Sequence, residues 1–139
     1  MSSIKDEIRI QTTAERAYEA LTTQAGYRAW WNKVAEVPSA VGGEAVLRFV
    51  KDGQPINMRF RIDETRPSTA VRWTCIAHDM PSWVGTTLDW RIQAADGSVL
   101  VSLDHGGWQD AGPEPVAQGW KHFLASLKAY LETGTGQPW

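Results

Sequence analysis

From Glu44 to His105 apolar and polar side chains alternate, and turn signals interrupt them at intervals. Such a stretch can only be a set of strands with one dry face each, because successive side chains on a strand point to opposite sides. Leu47 and Phe49 flank Arg48, and Met58, Phe60 and Ile62 alternate with Arg59, Arg61 and Asp63. Val71, Trp73, Cys75 and Ala77 alternate with Arg72 and Thr74, and Leu88, Trp90 and Ile92 with Asp89 and Arg91. The last run sets Val99, Val101, Leu103 and His105 on one side and Asp104 on the other. Lys51-Asp52-Gly53, Arg66-Pro67-Ser68, Met80-Pro81-Ser82 and Ala95-Asp96-Gly97 supply the turns, so the segment reads as an antiparallel meander.

A sheet with one apolar face needs a cover. After Gly106-Gly107 and a loop with Gly112-Pro113, the residues Val116, Trp120, Phe123, Leu124, Leu127 and Leu131 form one helical stripe. Glu114 falls in its first turn and Gly134 just past its end, which predicts a long amphipathic C-terminal helix. The tail from Thr133 to Trp139 is expected to be loosely ordered unless Trp139 packs back. Upstream, Ile4 to Gln11 alternates as a half-buried strand. Thr12-Thr13-Ala14-Glu15 has capping-box spacing, and Ala14, Ala17, Tyr18 and Leu21 repeat at helical intervals. Thr22-Thr23-Gln24 restarts the chain into a second short helix that carries Tyr27, Trp30 and Trp31 and ends near Trp31.

With 139 residues the chain is read as one domain spanning 1–139. A lone cysteine, Cys75, excludes an intramolecular disulfide and fits a reducing compartment. A formal charge of −2 argues against nucleic acid or an anionic membrane as partner. Charged residues at positions 5–7 stand where a signal peptide needs an apolar run, and no stretch approaches the roughly 20 apolar residues of a membrane span. The expected location is the cytoplasm. Eight tryptophans, more than Phe and Tyr together, predict large rings around a core or a pocket.

Three segments in order carry a resemblance. They are Ala20-Leu21-Thr22-Thr23 leading to Ala29-Trp30-Trp31, then His105-Gly106-Gly107-Trp108, then Gly119-Trp120-Lys121-His122-Phe123-Leu124 running to Tyr130-Leu131-Glu132-Thr133-Gly134. Together with the element order they resemble the SRPBCC (START-like, helix-grip) superfamily, in the branch related to the C-terminal domain of the Hsp90 ATPase activator. The resemblance implies an α+β helix-grip fold: a curved antiparallel sheet around a long C-terminal helix, two short helices after the first strand, and an apolar cavity between sheet and helix. It also implies binding of aromatic, polyketide-like or lipid-like molecules, while the superfamily includes carriers, cyclases and chaperone regulators.

The in-phase residues Phe49, Met58, Phe60, Trp73, Cys75 and Trp90, with Trp120 and Phe123 from the helix, form the expected inner surface and the candidate ligand contacts. His105 shares that phase and is a candidate polar anchor, with a structural histidine as the competing reading. Trp31, Trp83 and Trp108 are candidates for the cavity mouth. His78 and His122 are expected to be exposed, and the three histidines lack metal-site spacing, so no metal or cofactor is assigned. Asp6 shares the inward phase of the first strand but starts it, and no nucleophile motif surrounds Ser82, Ser98 or Ser102, so no catalytic residue is assigned. The outward Arg48, Arg59, Arg61, Arg72 and Arg91 are interleaved with Asp63, Asp89 and Asp104, as on a mixed solvated face. Three readings follow: a hydrophobic ligand carrier, a cyclase- or hydrolase-like enzyme using His105 as acid or base, and a chaperone co-regulator or other interaction domain, monomeric or homodimeric.

Overall fold

A computed structural model describes residues 2–109 and 113–139. Strand β1 (Ser2–Ile10) leads into α1 (Ala14–Ala20) and α2 (Gln24–Trp30). Thr13 caps α1 by accepting from the Arg16 amide at 3.2 Å, one residue later than the capping-box spacing predicts, and Thr23 caps α2 by accepting from the Gly26 amide at 3.0 Å. The two helices meet tightly at Gly26, where a Cβ would lie 2.7 Å from the Ala20 Cα. Tyr27 donates to the Leu21 carbonyl (2.6 Å) and Trp30 to the Ala20 carbonyl (2.9 Å), so each large ring is buried with its polar tip paired.

The meander comprises β2 (Glu44–Lys51), β3 (Gln54–Arg66), β4 (Ala70–His78), β5 (Thr87–Ala95) and β6 (Ser98–Trp108), with a 3-10 turn at Pro81–Trp83 between β4 and β5. The sheet order is β1-β6-β5-β4-β3-β2, antiparallel throughout, which leaves β1 and β2 as edges. Its outward face carries the expected mixture of signs, including Arg61–Asp63 at 2.7 Å and Arg91–Asp89 at 3.1 Å.

One irregularity changes which side chains face inward. Phe60 lies opposite Cys75, yet its neighbour Arg59 lies opposite Ala77, so Ile76 is an extra residue in β4. Up to Cys75 the odd positions face the core; beyond the bulge the phase inverts. Ala77 is therefore exposed, and His78 pairs with the inward, buried Met58 and is itself half-buried. The expectation of an exposed His78 is corrected by this single inserted residue.

Helix α3 (Glu114–Thr133) follows the predicted stripe, burying Trp120, Phe123, Leu124, Leu127 and Leu131, and stops at Gly134 in the left-handed conformation, φ 91°. Gly112 and the loop around it lie outside the described residues. The helix packs on β1, α1 and α2; among the described residues it makes no comparably close approach to β2, β3 or β4. The result is the α+β helix-grip arrangement, closed along β1 and wider over the opposite half of the sheet.

The tail packs back rather than hanging free. Trp139 donates its amide to the Trp31 carbonyl (2.9 Å) and its indole N–H to the Val50 carbonyl (3.1 Å), while its own carbonyl accepts from the Lys33 amide and from Asn32 Nδ2. Buried Ser126 donates to the Trp30 carbonyl and accepts from the Gln137 amide, both at 2.7 Å, which links α3, α2 and the tail at one point.

Candidate functional site

Where α3 diverges from the sheet, large side chains leave a cavity of about 150 Å³. Trp31, Phe49, Met58, Trp83, Trp120 and Phe123 line it, all of them sequence candidates, now drawn from α2's C-cap, β2, β3, the 3-10 turn and α3. Trp139 completes the wall from the tail; it meets Phe49 edge-on at 6.0 Å and is 52% exposed. Trp31 contacts Phe49, Trp120 and Phe123 with ring centroids 5.2–6.3 Å apart, so it forms the floor of the cavity rather than a free gate.

The structure separates the remaining candidates from that wall. Phe60, Trp73 and Trp90 are almost wholly buried within the aromatic core, with Trp73 against Tyr27 at 4.8 Å and Trp90 edge-on to both Trp30 and Trp120 at 5.7 Å. Cys75 is buried among them, and burial pushes its thiol up to about 11, which keeps it protonated and unreactive. Trp108 is buried against Trp83 and His105.

His105 is fully buried, and both ring nitrogens are used. The Trp120 indole N–H donates to Nδ1 at 3.0 Å, which leaves the ring proton on Nε2 to donate to Thr86 Oγ1 at 3.0 Å. The Thr86 hydroxyl then donates to the Trp83 carbonyl at 2.6 Å. This chain links α3, β6 and the β4–β5 connection, and it satisfies every polar group along it. Burial, and to a smaller degree the nearby His78, push the His105 pKa down to about 3, so the ring is neutral and fixed in one tautomer. Its partners are side chains, not the Gly106-Gly107 backbone.

His78 is the cavity residue that period-two reading missed, because the bulge is invisible to a count of alternating residues. Its ring stacks flat on Trp83, centroids 4.4 Å apart and planes 15° from parallel. Nδ1 accepts the Met80 amide at 2.8 Å, while the buried Nε2 has no hydrogen-bond partner among the described residues. Burial, opposed by the nearby Asp79, lowers its pKa to about 4. His122, as expected, is exposed, with Nε2 3.2 Å from the Gln137 carbonyl. Chemically the site offers a polarizable, mostly apolar recess, open at the Met80 and Trp139 rim, with one neutral imidazole in its wall.

Comparison with known proteins places this geometry. No curated protein matches the chain. It is similar to the Aha1 dimer of Colwellia psychrerythraea, known from a solution structure, at 29% identity and TM-score 0.79 over 98% of this chain and 100% of that one. It is also similar to a crystallised protein of Chromobacterium violaceum, at 23% identity and TM-score 0.80 over 94% of this chain and 96% of that one. The AHSA1-like protein from Aeromonas hydrophila matches at 20% identity and TM-score 0.71 over 94% of this chain and 93% of that one. The model of the family described as activator of Hsp90 ATPase homolog 1-like protein matches residues 11–132, and with the helix-grip architecture this assigns the chain to that family, within the SRPBCC superfamily.

Proposed function

We propose that the protein binds a small hydrophobic molecule between the sheet and α3. The observation that carries this reading is the aromatic-lined cavity of about 150 Å³, built where the helix parts from the sheet. Its size narrows the guest. Sites for drug-sized ligands run to roughly 300–1,000 Å³, whereas a dry cavity near 150 Å³ holds a benzene-sized molecule. A one-ring aromatic compound therefore fits, and a sterol or flavonoid does not unless the wall opens. The test is a thermal-shift and tryptophan-fluorescence titration with one-ring aromatics, fatty acids, sterols and flavonoids. Saturable stabilisation confined to the one-ring class is expected, of about 2.7 kcal/mol at ~100 times the dissociation constant. No shift with any class overturns the reading.

A second reading is self-association, and then recognition of an Hsp90-type chaperone. The dimer of the Colwellia protein and the two sheet edges, β1 and β2, support the first step, and family membership supports the second. Light scattering across a concentration series tests the dimer, and a monomer throughout overturns it. A pull-down with a purified Hsp90-type chaperone tests the partner. The single free thiol, Cys75, supports a reducing, cytoplasmic location, and no described helix is long and apolar enough to cross a membrane. Fractionation of the native host tests that location.

A further inference from the structure

We infer that the cavity selects a neutral one-ring aromatic molecule bearing an acceptor oxygen, and that His78 Nε2–H is the donor that receives it. This rests on the ligand-binding reading above and adds the chemical class.

Three observations lead there. The first is protonation geometry: Nδ1 of His78 accepts the Met80 amide, so in the neutral ring the proton sits on Nε2. Nε2–H is then a buried donor with no partner among the described residues. A buried polar group without a partner is unfavourable, and a ligand that supplies the missing acceptor gains what an isosteric hydrocarbon does not. The second is placement. The bulge at Ile76 turns His78 onto the cavity face beside Met58, and the flat stack on Trp83 holds the ring there; Nε2 itself is covered, so a ligand oxygen reaches it by displacing a neighbouring side chain. The third is the rest of the wall. The large side chains around His78 are aromatic or thioether, and the other ionisable side chain on the lining is the exposed Lys51. Such an enclosure disfavours a buried charge and accepts a neutral carbonyl or ether. The contrast with His105, whose nitrogens are both taken, leaves His78 as the histidine with capacity for a ligand; the Trp83 indole N–H is a second buried donor without a partner on the same wall, and the His78→Phe variant separates the two.

The test uses two probes of nearly equal shape, acetophenone and α-methylstyrene, which differ by a carbonyl oxygen in place of a methylene. Calorimetric titration of the unaltered protein should give acetophenone about tenfold the affinity of α-methylstyrene, the size of one hydrogen bond. In His78→Phe, which keeps a flat ring against Trp83, the preference for acetophenone over α-methylstyrene should vanish. Equal affinities in the unaltered protein overturn the inference and leave the cavity reading standing. Failure of both probes to bind overturns the cavity reading and this one with it. A preference that survives His78→Phe overturns the assignment of the donor. Should that variant not fold, 15N NMR of the imidazole in the unaltered protein decides the matter. The His78 Nε2 resonance should move with acetophenone and stay put with α-methylstyrene, and an unmoved resonance at saturation overturns the assignment.

Discussion

His105 and His78 lie against the same indole, Trp83, at centroid distances of 4.8 and 4.4 Å, yet they differ in what their nitrogens do. Both nitrogens of His105 are engaged, in a chain that runs from the Trp120 indole through Thr86 to the Trp83 carbonyl. Around His78 one nitrogen is engaged and the other is not. A pKa lowered by desolvation is common to both, so it does not distinguish a structural histidine from one able to meet a ligand. The distinction lies in the tally of partners: a completed chain holds the fold together, and an incomplete one at a cavity wall retains capacity for a guest.

The largest effect should come from breaking the completed side. His105→Ala removes the acceptor for the Trp120 indole and the donor to Thr86 and leaves a void, so denaturant unfolding should register a loss of about 3–5 kcal/mol. His78→Phe, by contrast, removes an unmatched donor and one exposed bond from the Met80 amide while keeping the ring, and should change stability by about 1 kcal/mol. Equal losses from the two would erase the comparison.

Next in size is the response to acid. His105 has a folded pKa of about 3 against 6.5 for an ordinary histidine, so on unfolding it takes up a proton at any pH between those values. Its contribution is therefore fully present above pH 6.5 and is lost as pH falls toward 3. Between about pH 7 and pH 5 this amounts to roughly 2 kcal/mol; half-exposed His78, lowered to about 4, adds a smaller part in the same window, so His105→Gln, which cannot titrate, should remove the larger share of the slope and leave the rest. A slope unchanged in His105→Gln would show that other groups carry it.

A smaller effect is expected at the rim. Trp139→Ala deletes a half-exposed ring and its bond to the Val50 carbonyl, and should cost about 1–2 kcal/mol while admitting two-ring probes that the unaltered cavity rejects. Binding limited to one-ring probes in both forms would show that the tail does not set the size limit. Least of all should Lys121→Ala matter. Its ion pair with Asp6, 3.3 Å across the exposed flank of α3 and β1, is worth less than about 1 kcal/mol and lies away from the cavity, so ligand affinity should be unchanged by calorimetry.

Much of this architecture was legible before any coordinates. The α3 stripe and its Gly134 stop are local patterns, and so are the strand phases from Leu47 to Cys75, because period and turn chemistry are properties of neighbours in sequence. The division of the inner surface was not legible. Phe49 and Phe60 share residue type and nearly the same phase, and what sets one on the cavity wall and the other in solid core is how far α3 stands off the sheet. His105 could be placed inward, but its partners Trp120 and Thr86 lie 15 and 19 residues away in the chain. His78 was hidden for a different reason. Ile76 and Ala77 are both apolar, so the one-residue slip in β4 leaves no mark on the hydrophobic pattern.

That slip separates a residue's count along the strand from the face it takes. Deleting Ile76 would leave Ala77 opposite Arg59 and His78 opposite Met58, so both side chains would keep their faces while the strand lost its bulge. A descendant lineage could thus shed a single codon and retain the histidine in the cavity wall.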